Sequence, residues 1–203
     1  PIQFNDLRIN PMLEQERRRF FRIDDRVGLK LVGIAVDDEA AAIANFDDSS
    51  ARAGLVNELR AVREKHLPER RSLENRFPTV ASYIEMLERQ IEIIAFAIDD
   101  RDDFPSEPSH AVNLSAQGMS LASDEGFAMG SLVDVSLALF PDHSRVKALA
   151  RVVKCDAEEI GMVTALDFTH LRDADREAII HHVHALQRRR LQAHFEEETD
   201  ARG

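Results

Sequence analysis

The stretch SLVDVSLALF, residues 131–140, has an apolar side chain at every second position. These side chains are Val133, Val135, Leu137 and Leu139. Successive side chains of a β-strand point to opposite faces, so this spacing predicts a strand with one buried face. A single strand is not stable alone, so the rest of the chain is expected to supply partner strands for a β-sheet.

The same alternation recurs on both sides of this stretch. It appears earlier as RVGLKLVGIA (26–35), and later as LARVV (149–153) and IGMVTALDF (160–168). Short polar segments separate the later strands, which favours an antiparallel sheet or a small barrel over alternating strands and crossover helices. A final helix is predicted from about Asp173 to Phe195, where apolar residues follow helical spacing.

A helical block interrupts the strand patterns. Residues from about Val36 to Ile98 are rich in Ala, Glu, Arg and Leu at helical spacing. Two independent domains are disfavoured because residues 1–35 offer one strand, which would not fold alone. We therefore predict one β-domain formed by residues 1–35 and 110–203, with residues 36–109 as an inserted helical segment.

One part of the insertion has the spacing of a coiled coil. Its apolar residues follow steps of four and three: Leu73, Phe77, Val80, Ile84, Leu87, Ile91, Ile94 and Ile98. Pro78 suits a first helical turn, so the helix is predicted to begin there. Near Ile91 it is apolar almost all round, more than one neighbouring helix can cover. We predict self-association, with three or four chains favoured because isoleucine occupies both core layers; a helical hairpin within one chain is the alternative.

Composition limits the classes of function. The net charge is −11, and residues 1–35 carry seven basic and five acidic side chains. Nucleic-acid binders usually present a broad basic face, so no nucleic-acid partner is expected. No apolar run reaches the ~20 residues of a membrane span, and the N-terminus lacks the pattern of a secretory signal. Cys155 is the single cysteine, which together with these features predicts a cytoplasmic location.

The sequence shows none of the common catalytic motifs. It has no P-loop, no G-x-S-x-G and no H-E-x-x-H. In HHVH, His181 and His184 lie one helical turn apart, but no acidic or cysteine ligand stands nearby at matching spacing. We interpret this motif as a detail of the helix surface, and we expect no catalytic residues, no metal site and no cofactor.

Two polar motifs adjoin the predicted strands. The stretch RRRFFRIDD (17–25) contains an R-x-x-x-R spacing, and AVNLSAQGMSL (111–121) contains N-x-S-x-x-G. In this order, on this strand pattern, the two motifs resemble those of the PilZ domain family of cyclic di-GMP receptors. The strand MVTALDF with the helix after it resembles the end of the same domain. The resemblance covers roughly residues 15–35 and 110–195, and the long insertion is where the chain departs from it.

The resemblance implies a six-stranded antiparallel β-barrel with a C-terminal helix. It also implies that Arg18 and Arg22 grip cyclic di-GMP from the N-terminal arm, while Asn113, Ser115 and Gly118 meet it on the barrel. Guanidinium groups suit this dianion because they pair with phosphate oxygens and guanine acceptors and stack on purine rings. Asn at the first motif position, in place of the commoner Asp, stays within the family pattern.

These observations predict a non-enzymatic bacterial signalling receptor or adaptor. It binds cyclic di-GMP, self-assembles through its inserted helices and acts on an unidentified downstream protein. The alternative is an oligomeric scaffold that binds nucleotide weakly or not at all and acts through protein–protein contacts. An arginine-rich arm that is merely solvated is the simplest interpretation of residues 17–22 taken without the second motif.

Overall fold

The computed structural model describes residues 21–99, 104–123, 126–158 and 161–200. The elements in chain order are β1 (Ile23–Gly33), α1 (Glu39–Ala44), α2 (Phe46–Ala53), α3 (Leu55–Lys65), α4 (Leu67–Arg76), α5 (Pro78–Asp99), β2 (His110–Ser115), β3 (Gly118–Ser123), β4 (Leu132–Leu139), β5 (Ser144–Glu158), β6 (Gly161–Leu171) and α6 (Asp173–Asp200). A 3-10 turn, Val36–Asp38, precedes α1. No helix in these ranges is both long and apolar enough to cross a bilayer.

The six strands close into a barrel in the order β1-β2-β3-β6-β5-β4, and every neighbouring pair is antiparallel. This confirms the predicted six-stranded antiparallel barrel with a C-terminal helix. The first half of β1 pairs with β2 and the second half pairs with β4, so β1 completes the closure. Without β1, the remaining five strands would form an open sheet.

β1 begins at Ile23, three residues before the start that the sequence pattern predicted. The alternation is hidden there because Asp24 and Asp25 are polar on both sides of the strand. Asp25 Oδ2 lies 2.7 Å from Nε2 of the buried His182 on α6. The inward position is therefore filled by a polar pair rather than by an apolar side chain, which the periodicity of β1 alone does not reveal.

The barrel core consists of the apolar residues that alternate along the predicted strands. Val133, Val135, Leu137 and Leu139 are fully buried. They pack with side chains of the other strands, and Ile179 and Val183 of α6 join the same core. Because α6 contributes to the core, it is an integral part of the barrel domain.

The helical block lies between β1 and β2, as predicted. α5 begins at Pro78, where the missing N–H of proline costs little. Both α3 and α4 pack against α5, so this helix has neighbours within its own chain. The bounds of the two domains, 1–35 with 110–203 and 36–109, stay a prediction.

The inserted helices pack directly on the barrel. Phe46 of α2 is buried against Leu132 and Leu149, one from β4 and one from β5. On α3, Asn57 Nδ2 donates to the carbonyl oxygen of Arg145 at 2.7 Å. The insertion is thus anchored by an apolar contact and by a buried hydrogen bond.

α6 continues to Asp200, five residues beyond the predicted end at Phe195. The run Glu196–Asp200 belongs to the helix in the structure. Glutamate favours helices, so the acidic run extends the helix instead of ending it.

Candidate functional site

The start of β1 and the end of β2 lie side by side. Ile23 pairs with Leu114, and Asp24 pairs with Asn113. Arg22 is exposed and directly precedes Ile23, so it lies at the strand end where the N-x-S-x-x-G motif begins its turn. Arg18 falls outside the described residues. The register therefore brings the last arginine of the arm to the same edge of the barrel as Asn113.

The side chain of Asn113 is half-buried on the outer face of the barrel. Its Nδ2 donates to Oδ1 of Asp24 at 2.6 Å. The backbone oxygen of Asp24 in turn accepts a hydrogen bond from the guanidinium group of Arg190 on α6. β1, β2 and α6 thus meet at Asp24.

Ser115 and Gly118 shape the turn between β2 and β3. Ser115 is buried, and its Oγ donates to the carbonyl oxygen of Gly118 at 3.0 Å. A Cβ at position 118 would lie 2.1 Å from the backbone oxygen of Leu166, so only glycine lets β3 approach β6 this closely. In this conformation the two residues fix the shape of the turn, and the hydroxyl of Ser115 is buried in a hydrogen bond within it.

α6 supplies side chains to this edge that the sequence analysis did not identify. The ring of His184 meets Phe21 edge-on, with centroids 6.4 Å apart. His182 is buried against Asp25, and Arg190 bonds the backbone of Asp24. The HHVH run is the sequence feature that could have pointed to these α6 residues, because its exposed His181 and His184 flank the buried His182.

The outward His181 contributes to the contact between α6 and the insertion. Its Nε2 lies 3.3 Å from an oxygen of Glu64 on α3 and 3.9 Å from one of Glu177, four residues earlier on α6. The expectation that no acidic side chain stands near this histidine at matching spacing was therefore wrong. Across the described part of the chain, no cluster of three His, Cys, Asp or Glu side chains is arranged to hold a metal ion. We assign His181 to the packing of helices.

A buried polar cluster joins α3 to the start of α6. Asp175 is fully buried and accepts hydrogen bonds from Arg172 Nε at 3.0 Å and from Asn57 Nδ2 at 2.7 Å. Burial raises the pKa of Asp175 above its ordinary value, although the hydrogen bonds from Arg172 and Asn57 act in the opposite direction. The helix that carries Arg190 is thus fixed at its other end to the insertion.

α5 presents a large apolar surface to solvent. Its exposed apolar side chains lie in two neighbouring rows along the helix, with exposures from 38% for Ile84 to 63% for Ile93. The first row is Val80, Ile84, Leu87, Ile91 and Ile94, and the second is Tyr83, Met86 and Ile93. Adjacent exposed apolar residues in such number typically mark an interaction surface.

Ion pairs hold α5 to the two helices before it. Arg63 of α3 contacts Glu92 at 2.8 Å, and Arg70 of α4 contacts Glu88 at 3.1 Å. These pairs occupy the side of α5 that faces α3 and α4. The first apolar row borders these contacts, since Ile91 lines the same cleft as Arg63 and Glu92, and the second row lies farther from them around the helix.

Comparison with known proteins gives a match to a family model and matches to solved structures. Residues 94–185 match the family model of the PilZ domain. A solved structure of a pathogenic protein from Xanthomonas campestris has the same fold, with a TM-score of 0.55 and 17% sequence identity over 90% of this chain and 97% of that chain. That protein is described as a new tetrameric PilZ domain self-assembled via an unusual helical bundle. Curated protein sequences give no match.

Proposed function

Because the chain contains a PilZ domain, we propose that it is a non-enzymatic receptor or adaptor for cyclic di-GMP in the bacterial cytoplasm. The ligand lies at the edge formed by Arg22, Asn113 and the turn of residues 115–118. Arg18 adds a second guanidinium from the arm. The register of β1 and β2 supports this proposal most directly, because it sets Arg22 beside the end of the motif strand.

The chemistry of this edge suits a cyclic dinucleotide. The ligand is a dianion with two guanine rings, and arginine both pairs with phosphate oxygens and stacks on purines. Arg190 of α6 adds positive charge beside the arm, since its guanidinium group lies at Asp24. The half-buried amide of Asn113 offers directional hydrogen bonds to a guanine edge.

Titration calorimetry with cyclic di-GMP tests the site. We expect wild type to bind, and each of Arg18→Ala and Arg22→Ala to weaken binding roughly tenfold to a hundredfold, since a hydrogen bond to a charged group contributes about 1.5–3 kcal/mol. Arg26→Ala is the matched control, because Arg26 is exposed on the same strand but pairs with Ala111, away from the turn. Unchanged affinity in the Arg18→Ala/Arg22→Ala double variant would refute the site.

We also propose that α5 assembles copies of the chain into a helical bundle. One added helix would cover one apolar row, and the second row would stay in water. Burying both rows requires at least two helices from other chains, which favours three or four copies over two. The tetrameric assembly described for the Xanthomonas protein of the same fold supports this proposal.

The second candidate is an oligomeric scaffold that acts through protein contacts with little or no nucleotide binding. It is favoured by Ser115, whose hydroxyl is buried and already bonded to Gly118. The Ser115 hydroxyl is therefore not free to donate a hydrogen bond to a ligand, although the motif predicts that it does. Calorimetry on wild type separates the two functions, because the scaffold gives no heat of binding. In both cases the downstream partner is a protein.

A further inference from the structure

We propose that Asp24 is a positioning residue for Asn113. It fixes the direction of the Asn113 amide, so that the ligand meets an oxygen acceptor and the site selects guanine over adenine. This inference rests on the proposed nucleotide site and deepens it by naming what sets its base specificity.

Hydrogen-bond chemistry determines which end of the amide faces Asp24. A carboxylate oxygen only accepts, whereas an asparagine carries two donors on nitrogen and acceptors on oxygen. The contact between Asn113 and Asp24 is 2.6 Å, a length at which two acceptors would repel. The nitrogen of Asn113 must therefore face Asp24, and Oδ1 points elsewhere.

Asp24 is itself held in place by two independent contacts. It pairs with Asn113 in the backbone register of β1 and β2, so it cannot slide along the strand without breaking the ladder. Arg190 of α6 donates to its carbonyl oxygen. The backbone of Asp24 is thus fixed beside Asn113, and its carboxylate, through the hydrogen bond from Asn113 Nδ2, holds the amide in one orientation before any ligand arrives.

The oxygen of Asn113 remains available for a ligand. Within the described residues, no donor is hydrogen-bonded to Asn113 Oδ1, and the side chain is half-exposed on the outer face. Asn113 consequently acts at this site as an aspartate would, as an acceptor. It does so without adding a negative charge beside a dianionic ligand.

An oriented acceptor distinguishes the two purines. The pairing edge of guanine presents two adjacent donors, N1–H and N2–H, whereas that of adenine presents one donor beside an unprotonated nitrogen. With the base in the same placement, the oxygen of Asn113 would face the unprotonated N1 of adenine and stay unpaired, and a site built around a specific hydrogen bond rejects such an analogue. An asparagine amide that rotates freely could present either its oxygen or its nitrogen to the base, and it would discriminate less between guanine and adenine. We expect wild type to prefer cyclic di-GMP to cyclic di-AMP because of this orientation.

The test measures affinities for both cyclic dinucleotides by calorimetry. Asp24→Ala frees the amide, so we expect weaker cyclic di-GMP binding and a preference over cyclic di-AMP reduced at least tenfold. Asp37→Ala is the matched control, an exposed acid beyond the opposite end of β1, and it should keep both affinities. A merely structural role for Asp24 would lower both affinities together and leave their ratio unchanged.

A swap of the two side chains gives a second, independent test. Asn113→Asp alone sets two carboxylates against each other and should weaken binding at least tenfold. The double variant Asp24→Asn/Asn113→Asp restores one donor and one acceptor with their places exchanged, and the ligand again meets an oxygen. We expect its affinity and its preference for cyclic di-GMP to return to within threefold of wild type.

The outcomes separate this inference from the proposed function. If wild type does not bind cyclic di-GMP, both fail. If wild type binds selectively and Asp24→Ala is equally selective, only the inference fails. Should Asp24→Ala not fold, which circular dichroism detects, the swap decides: a double variant that binds no better than Asn113→Asp overturns the inference, and recovery supports it.

Discussion

At the residue scale, two glycines of the barrel have very different surroundings. A Cβ on Gly118 would lie 2.1 Å from the backbone oxygen of Leu166, whereas a Cβ on Gly33 would meet the ring of Phe127 at 3.7 Å, an ordinary contact. We predict that Gly118→Ala lowers the free energy of unfolding by about 3 kcal/mol, because β6 must shift. Gly33→Ala should change it by about 0.5 kcal/mol or less. Urea denaturation measures both, and equal losses would contradict the assigned cause.

Asp175 gives a prediction about pH. Because burial raises its folded-state pKa above 3.8, the folded state holds this proton more tightly than the unfolded state. The stabilisation from that proton is complete below the unfolded-state pKa and is lost as the pH rises through the raised value. We expect the stability of wild type relative to Asp175→Asn to fall as the pH increases above 3.8.

Urea denaturation of both proteins over a pH series checks this expectation. The difference between the two free energies of unfolding isolates Asp175 from the other carboxylates, which titrate in both proteins. If wild type instead became more stable relative to Asp175→Asn as the pH rises, the contacts with Arg172 would outweigh burial and the pKa of Asp175 would be lowered.

The sequence revealed one part of the candidate site better than the other. Arg22, Asn113 and Gly118 belong to motifs with their own spacing, so the order of residues along the chain is enough to identify them. Asp24 and Arg190 could not be identified in this way, because their importance depends on contacts between residues 89 and 166 positions apart. Spacing along the chain carries no information about such pairs, and the pattern of α6 is that of a packing helix.

At the element scale, α5 is the helix with the most exposed apolar side chains, which no other described part of the chain covers. We predict that Ile94→Asp separates the assembly into single chains, because Ile94 lies in the first apolar row and is 58% exposed when the chain is alone. The charge costs the isolated chain little but would be buried unpaired in a bundle. Light scattering or sedimentation equilibrium measures the mass.

Ser72→Asp is the control for this variant. It adds the same charge at an exposed polar position of the neighbouring helix α4, outside both apolar rows of α5. We expect the assembly to persist in it. A wild-type chain that is already monomeric, or an Ile94→Asp variant of unchanged mass, would refute assembly through this surface.

Periodicity predicted the strands because one face of each strand is apolar, and Pro78 predicted the start of α5. Periodicity did not predict the breaks at Asn45 and Gly54 that divide the first part of the insertion. Those breaks lie where the chain turns to bring Phe46 against the barrel, a constraint imposed by tertiary packing. Gly54 also makes room for Arg172, since a Cβ there would collide with its guanidinium group.

At the scale of the whole molecule, the insertion and the barrel share buried contacts. Phe46 is 4% exposed and packs on both β4 and β5. We predict a single calorimetric transition for wild type, and a loss of about 3–5 kcal/mol in Phe46→Ala, because a large cavity would open between the two parts. Two separate transitions in wild type would contradict this coupling.

α6 runs through both regions. Asp175 contacts the insertion near one end of this helix, and Arg190 contacts β1 fifteen residues later, a distance of about 22 Å at the rise of an α-helix. The candidate ligand site and the base of the insertion are therefore connected by one uninterrupted helix.

The closed ring of strands also limits how copies of this protein can join. Each described strand has a hydrogen-bonded neighbour on both sides over part of its length, so the barrel gives an incoming polypeptide no full-length vacant edge along which to add. Fibre-like growth by strand addition therefore lacks a full-length template in such a ring. The proposed assembly through the apolar rows of α5 would instead end at a small number of chains, because a helical bundle is complete once those rows are covered.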